Sequence, residues 1–158
     1  MQSFTPLASN MACLDPIRVL MVEDDPDDVY LTMDALRASR LRLNLDVVSD
    51  GVEAIQYLRA NHDRRPDLIL LDLNLPRMDG REVLTVIKED PVLNAIPVVV
   101  LTTSKAEEDI AASYRKHANC YVSKPVNIEE FRTVLASIES FWFSIVRLPT
   151  EVARRADG

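Results

Sequence analysis

Leu68-Ile69-Leu70-Leu71-Asp72-Leu73-Asn74-Leu75-Pro76 is an apolar run of strand length that stops on a single carboxylate, with a proline-containing loop directly behind it. A strand that is apolar on both sides belongs in a sheet covered by helices on both faces, because neither face meets water. Asp72 then stands at the carboxyl end of a central strand. In open α/β sheets that rim holds ligands, at the point where the strand order reverses. A lone aspartate there serves equally as a loop cap, so the residues that accompany it decide its role.

Working outward, residues 17–22 form an apolar strand that ends on Glu23-Asp24-Asp25. Pro26 suits the first turn of a helix, where its missing N–H costs nothing. Val29, Met33 and Leu36 continue at helical spacing, and Asp25, Asp27 and Asp28 read as a solvated helix start favoured by the dipole. Residues 43–48 make a second strand, and Asp50-Gly51 turns into a helix over 52–60 with Ala54, Ile55 and Leu58 inward. Beyond the opening stretch, 82–89 reads as helix through Val83, Val86 and Ile87, and Pro91 stops it. Residues 98–101 are a fourth strand ending in Thr102, a helix follows over about 107–116, and Cys120-Tyr121-Val122 is a short strand ending at Ser123-Lys124-Pro125. The last helix starts near Ile128 with Asn127 as its N-cap. Phe131, Leu135, Ile138, Trp142 and Ile145 form its apolar stripe. Five strands alternating with five helices through short connections predict an α/β fold, a doubly wound, parallel (βα)5 sheet with right-handed crossovers.

Composition narrows the function classes. At 158 residues and 47% hydrophobic the chain fits one domain with a proper core. Residues 1–16 read as a loosely held tail, 17–140 as the domain and 141–158 as a C-terminal extension. The tail lacks the basic start and apolar centre of a secretory leader, and no apolar run approaches the ~20 residues that span a bilayer. A soluble, cytoplasmic protein without a membrane partner is expected. Cys13 and Cys120 make neither a disulfide framework nor a metal knuckle. A net charge of -7 argues against nucleic acid as a partner and favours a cation or another protein.

The alternation sets the strand ends on one rim, and those ends carry Glu23 and Asp24, Asp72, Thr102 and Lys124. Crowded carboxylates repel and lose hydration, so they suit a hard divalent cation or phosphoryl transfer. Mg2+ keeps several waters and needs only one or two direct carboxylates plus a carbonyl. Lys124 can pair with a phosphate oxygen as a point charge, and the Thr102 hydroxyl can donate to another. A phosphatase with a strand-end aspartyl nucleophile wants a second Asp two residues later, where this chain has Asn74. No Gly-rich phosphate loop exists among the three glycines, which disfavours a nucleotide hydrolase.

Glu23-Asp24, Asp72 followed by Pro76 and Asp79-Gly80, Thr102, and Lys124-Pro125 together resemble the receiver domain of two-component response regulators over roughly residues 17–140. The resemblance implies a flavodoxin-like receiver fold with strand order 2-1-3-4-5 and an aspartate, Asp72, that accepts a phosphoryl group from a phosphohistidine on a sensor histidine kinase. It further implies Mg2+ bound directly by Asp24 and Asp72, by the backbone carbonyl of Asn74, and through water by Glu23. Thr102 and Lys124 would report the phosphoryl group, and Tyr121 matches the family's switch aromatic. Thr103 and Ser104 depart from the small residue and acid that commonly follow that threonine, which bears on the lifetime of the phosphorylated state. The competing reading is a receiver-fold scaffold that is never phosphorylated.

Only 34 residues follow Lys124, so a stand-alone receiver acting through protein contact is expected, with no enzymatic activity beyond its own phosphorylation and dephosphorylation. Phe141-Trp142-Phe143 cannot all face one core, because consecutive helical residues point about 100° apart. The segment from Ser140 to Pro149 resembles the end of small regulators paired with bacterial and cyanobacterial phytochromes. That resemblance implies a phytochrome kinase as phosphodonor and a homodimer built on the face of the fourth and fifth expected helices and the C-terminal extension, through Phe141, Trp142, Phe143, Ile145 and Leu148.

Overall fold

Five short parallel strands pair in the order second, first, third, fourth, fifth along the chain in the computed structural model, the doubly wound order expected. The structure describes residues 16–38, 42–103, 110–111, 114–115 and 118–145, without the side chains of 143–145. The strands are β1 (Ile17–Val22), β2 (Leu43–Val48), β3 (Leu68–Leu71), β4 (Val98–Thr102) and β5 (Cys120–Ser123). Four helices are described: α1 (Pro26–Arg37), α2 (Gly51–Ala60), α3 (Gly80–Glu89) and α4 (Ile128–Glu139), the last passing directly into a π-helical segment, Ser140–Ile145. The helix expected over 107–116 falls largely outside the described residues. None of the described helices is long and apolar enough to cross a membrane.

Alternation along each buried strand divides the core into two layers. On one face Leu20, Val22, Ile69, Leu71, Val98 and Val100 meet Ala54, Ile55 and Leu58 of α2 and Val83, Leu84 and Ile87 of α3. On the other, Val19, Met21, Leu68, Leu70, Val99 and Leu101 meet Phe131, Leu135, Ile138 and Trp142, with Val29, Leu31, Ala35 and Leu36 of α1 packed against them. β3 is buried along its whole length, as an apolar strand without polar alternation requires. A charged residue at any of its positions would face a helix layer rather than water.

Helix starts carry most of the local signals. Asp25, Asp50, Asp79 and Asn127 each cap a helix by accepting a backbone N–H, from Asp27, Glu53, Arg81 and both Glu129 and Glu130 respectively. α2 and α3 begin at Gly51 and Gly80, slightly ahead of the apolar period that predicts them. Gly80 has a steric reason to be glycine, since a Cβ there would run into the Asp72 carbonyl oxygen and the Leu73 Cα. The N-terminus of α3 is thereby packed directly against the backbone of Asp72.

Candidate functional site, an acidic pocket at the strand ends

Register brings the predicted site residues together. Val22 pairs with Leu71, so Glu23 and Asp72 emerge side by side from β1 and β3, tied by a 3.1 Å bond from Asp72 N–H to the Val22 carbonyl. Thr102 is the last residue of β4 and pairs with Ser123 on β5. The Lys124 N–H donates to the Thr102 carbonyl at 2.8 Å, which turns the lysine toward the same rim.

The side chains converge on Asp72. Its Oδ1 accepts the Thr102 hydroxyl at 2.7 Å and the Asn74 N–H at 3.2 Å, and its Oδ2 lies 3.3 Å from Lys124 Nζ. The Asn74 side-chain amide donates to Thr102 Oγ1 at 3.4 Å. Lys124 Nζ also donates to Glu23 Oε1 and, at 2.8 Å, to Asp28 Oδ2. The other Glu23 oxygen accepts the N–H groups of Asp24 and Asp25 at 3.1 and 3.4 Å. Glu23, Asp72, Thr102 and Lys124 are buried, whereas Asp24 is exposed at the mouth.

Electrostatics follow from one ammonium shared among several carboxylates. Burial pushes Glu23 well above the usual carboxylate range, the charge of Asp72 adds to this, and the Lys124 hydrogen bond opposes it. Burial is also the largest influence on Asp72 and acts upward. The Thr102 hydroxyl, a hydrogen bond shared with Glu23, the Lys124 charge and the Asn74 N–H together outweigh it and hold Asp72 below its usual value. Lys124 is pushed down by burial and more strongly up by Asp28, Glu23 and Asp72, so it stays an ammonium.

Glu23, Asp24 and Asp72 each offer a carboxylate oxygen, all within 4.8 Å of one another. Hard oxygen donors in that number, with one edge open to water, fit Mg2+ or Mn2+, which retain part of their hydration shell. The residues present therefore suit the expected cation.

The strand-end residues Glu23, Asp24, Asp72, Asn74, Thr102 and Lys124 are thus one cluster. Asp28 joins them against expectation. Its place in an acidic helix start suggests solvation, yet its side chain is 18% exposed and pairs with Lys124. Asp25 and Asp27 do stay exposed at the helix start. Tyr121 is half-buried and packs against the core layer beneath α2 and α3. Trp142 is 9% exposed in the opposite layer, while Phe141 is 51% exposed and meets its ring edge-on, with centroids 5.6 Å apart at 85°. The side chains of Phe143, Ile145 and Leu148 lie outside those described.

One further contact escapes sequence reading. Arg77, in the loop after β3, donates to both oxygens of Asp50, at 2.8 and 3.1 Å. Its φ of 63° lies in the left-handed region. A bidentate ion pair thus pins the loop that carries Asn74 to the start of α2.

A buried (βα) sheet with acids, a hydroxyl and an ammonium on its carboxyl rim is the architecture of a response regulator receiver domain. Residues 19–136 match the model of that family, and the chain belongs to it. As such it is a signalling protein. It is 46% identical over 138 residues to Response regulator Rcp1 of Synechocystis sp., covering 85% of this chain and 94% of the relative. Among solved structures it is similar to the phosphorylated cyanobacterial phytochrome response regulator RcpA, with 48% identity and a TM-score of 0.82 across 85% of this chain and 99% of that one. The Mn(2+)-bound form of Rcp1 is matched at 46% identity with a TM-score of 0.82, again across 85% and 99%.

Proposed function

We propose that this chain is a phosphoryl-accepting switch acting in the cytoplasm, with Asp72 as the acceptor and the phosphohistidine of a sensor histidine kinase as donor. The observation that carries it is the environment of Asp72: a carboxylate kept ionised beside an ammonium and a hydroxyl, with two more acids within ligand distance. Asp72 Oδ2 is the attacking atom, since Oδ1 already accepts the Thr102 hydroxyl and the Asn74 N–H, whereas Oδ2 meets Lys124 at 3.3 Å. The new P–O bond forms as the P–N bond of the phosphohistidine breaks, and the electron pair returns to the imidazole nitrogen.

Asp24 and Asp72, with the Asn74 backbone carbonyl and Glu23 through water, would hold Mg2+. When bound, the cation neutralises phosphoryl oxygens and the crowded acids. Lys124 then transfers its hydrogen bond from Asp72 Oδ2 to a phosphoryl oxygen. The Thr102 hydroxyl leaves Asp72 Oδ1 for another, and the space it vacates draws Tyr121 inward. Output passes to the face bearing β5, the segment before it and α4.

The likeness to Rcp1 and RcpA supports a phytochrome kinase as phosphodonor, and the exposed Phe141 beside buried Trp142 supports a homodimer built on the C-terminal segment. Phe143, Ile145 and Leu148 would extend that surface. Incubation with acetyl phosphate and Mg2+ followed by intact-mass measurement tests the central reading. Wild type should gain one phosphoryl group and Asp72→Asn none. Equal uptake by both overturns Asp72 as acceptor, and uptake by neither favours the scaffold.

A further inference from the structure

We propose that Asp28 is a positioning residue for Lys124, the second anchor that keeps the ammonium from closing over Asp72 when cation and phosphoryl group arrive. The inference rests on the functional reading above and extends it to a residue on α1. The Lys124 ammonium has three N–H donors and meets three carboxylates, those of Glu23, Asp28 and Asp72. Its contact to Asp28 is 2.8 Å and its contact to Asp72 is 3.3 Å, so Asp28 draws it away from the acceptor.

The anchor is itself fixed. Asp25 caps the helix, Pro26 opens it, and the Asp28 carbonyl accepts the hydroxyl of buried Thr32 at 2.8 Å. Glu23 cannot take over the role alone, because its second oxygen already receives the backbone N–H groups of Asp24 and Asp25. Without the Asp28 charge the ammonium is left with Glu23 and Asp72 and settles more firmly on Asp72 Oδ2. It then masks the attacking oxygen and repels an incoming cation at close range. With Asp28 in place, Lys124 can release Asp72 and remain paired, and a phosphoryl oxygen replaces the lost acceptor.

The test compares Asp28→Asn and Asp28→Ala with Asp27→Asn, which removes the same charge from the same helical turn at an exposed side chain outside the pocket. Mg2+ affinity is read by titration calorimetry, and the first-order phosphorylation rate by intact mass in acetyl phosphate at saturating Mg2+. Both Asp28 variants should bind Mg2+ about tenfold more weakly and phosphorylate about tenfold more slowly even when the metal is saturating. Asp27→Asn should stay within about twofold of wild type on both counts. In a Lys124→Met background the Asp28→Asn effect on Mg2+ affinity should largely vanish, which a purely structural role would not produce. Equal losses in the Asp27 and Asp28 variants, or affinity within about twofold of wild type for Asp28→Asn, overturn the proposal. A wild type that accepts no phosphate overturns the functional reading and this one with it. Wild-type uptake with an unaffected Asp28→Asn overturns this one alone.

Discussion

Asp50 and Asp72 sit at the same rim, just beyond β2 and β3, with 8% and 7% of their surface exposed. Both are held below the usual aspartate range, by opposite routes. For Asp50 the leading cause is a bidentate hydrogen bond from a guanidinium of its own, Arg77, supported by the Glu53 N–H of the helix it caps. For Asp72 the leading influence is burial, which acts upward, and ionisation survives only because Thr102, Glu23, Lys124 and Asn74 all act against it. Asp50 has a dedicated cation and is finished as an electrostatic unit. Asp72 shares one ammonium with Glu23 and Asp28 and lies close to Asp24, so the pocket is short of positive charge. Asp50 is neutralised within the fold, whereas the acids around Asp72 outnumber the one cation they share.

The largest test of that contrast removes the cation from each side. Lys124→Ala leaves Glu23, Asp28 and Asp72 buried or half-buried without an internal cation, and metal-free protein should lose about 3 kcal/mol of stability. Much of the loss should return when Mg2+ is added, because a divalent ion supplies the missing charge. Urea unfolding with and without Mg2+ measures both quantities. A loss no larger than that of Arg77→Ala would break the contrast, since it would make the pocket as self-contained as the clamp.

Metal alone gives the next largest effect. Wild type should be stabilised by about 2.7 kcal/mol when Mg2+ is present at 100 times its dissociation constant, the amount that mass action sets for one native-state site. Arg77→Ala should show the same increment, because the clamp offers the cation no ligand. Asp72→Asn should show a much smaller one at the same Mg2+ concentration. An increment that shrank in Arg77→Ala would mean that the clamp positions Asn74 for the metal, and would join the two regions into one device.

How much of this is legible in the sequence depends on whether the signal is local. A strand buried on both faces tolerates no interior charge, so the polar residues directly following each apolar run mark the rim, and parallel order gathers those residues. That logic finds Glu23, Asp24, Asp72, Thr102 and Lys124 without coordinates. It misreads Asp28, because an acid on a first helical turn looks the same whether it meets water or the pocket. What decides is the rotation of α1 about its axis, set by the packing of Val29, Leu31, Ala35 and Leu36 on the sheet. Arg77 is invisible for a different reason: its partner is 27 residues away, and neither lies in a periodic element that would place it. The stripe on α4 includes buried Trp142, but it does not single out Phe141 as the exposed aromatic, nor does it show the change to a π-helix at Ser140, since the apolar period continues unbroken through it.

The smallest expected effect concerns the clamp itself. Arg77 is largely exposed while Asp50 is nearly buried, and exposed pairs are screened, so Arg77→Ala should lower the melting temperature by only about 1–3 °C. Arg77→Gly should cost less than Arg77→Ala, because glycine occupies a φ of 63° without strain while alanine does not. The pH dependence identifies the origin of the difference. Asp50 is more acidic folded than unfolded, so its contribution is complete above the ordinary aspartate value near 4 and is lost as pH falls through its lowered folded value. In Arg77→Ala the leading cause of that lowering is gone, and less remains to be lost in acid. Thermal melts should therefore show a constant gap between wild type and Arg77→Ala from about pH 8 to about pH 5, narrowing below about pH 4. A gap that widens in acid would mean that Arg77 supports the loop through something other than the Asp50 carboxylate, and the one-to-one pairing that sets Asp50 apart from Asp72 would have to be given up.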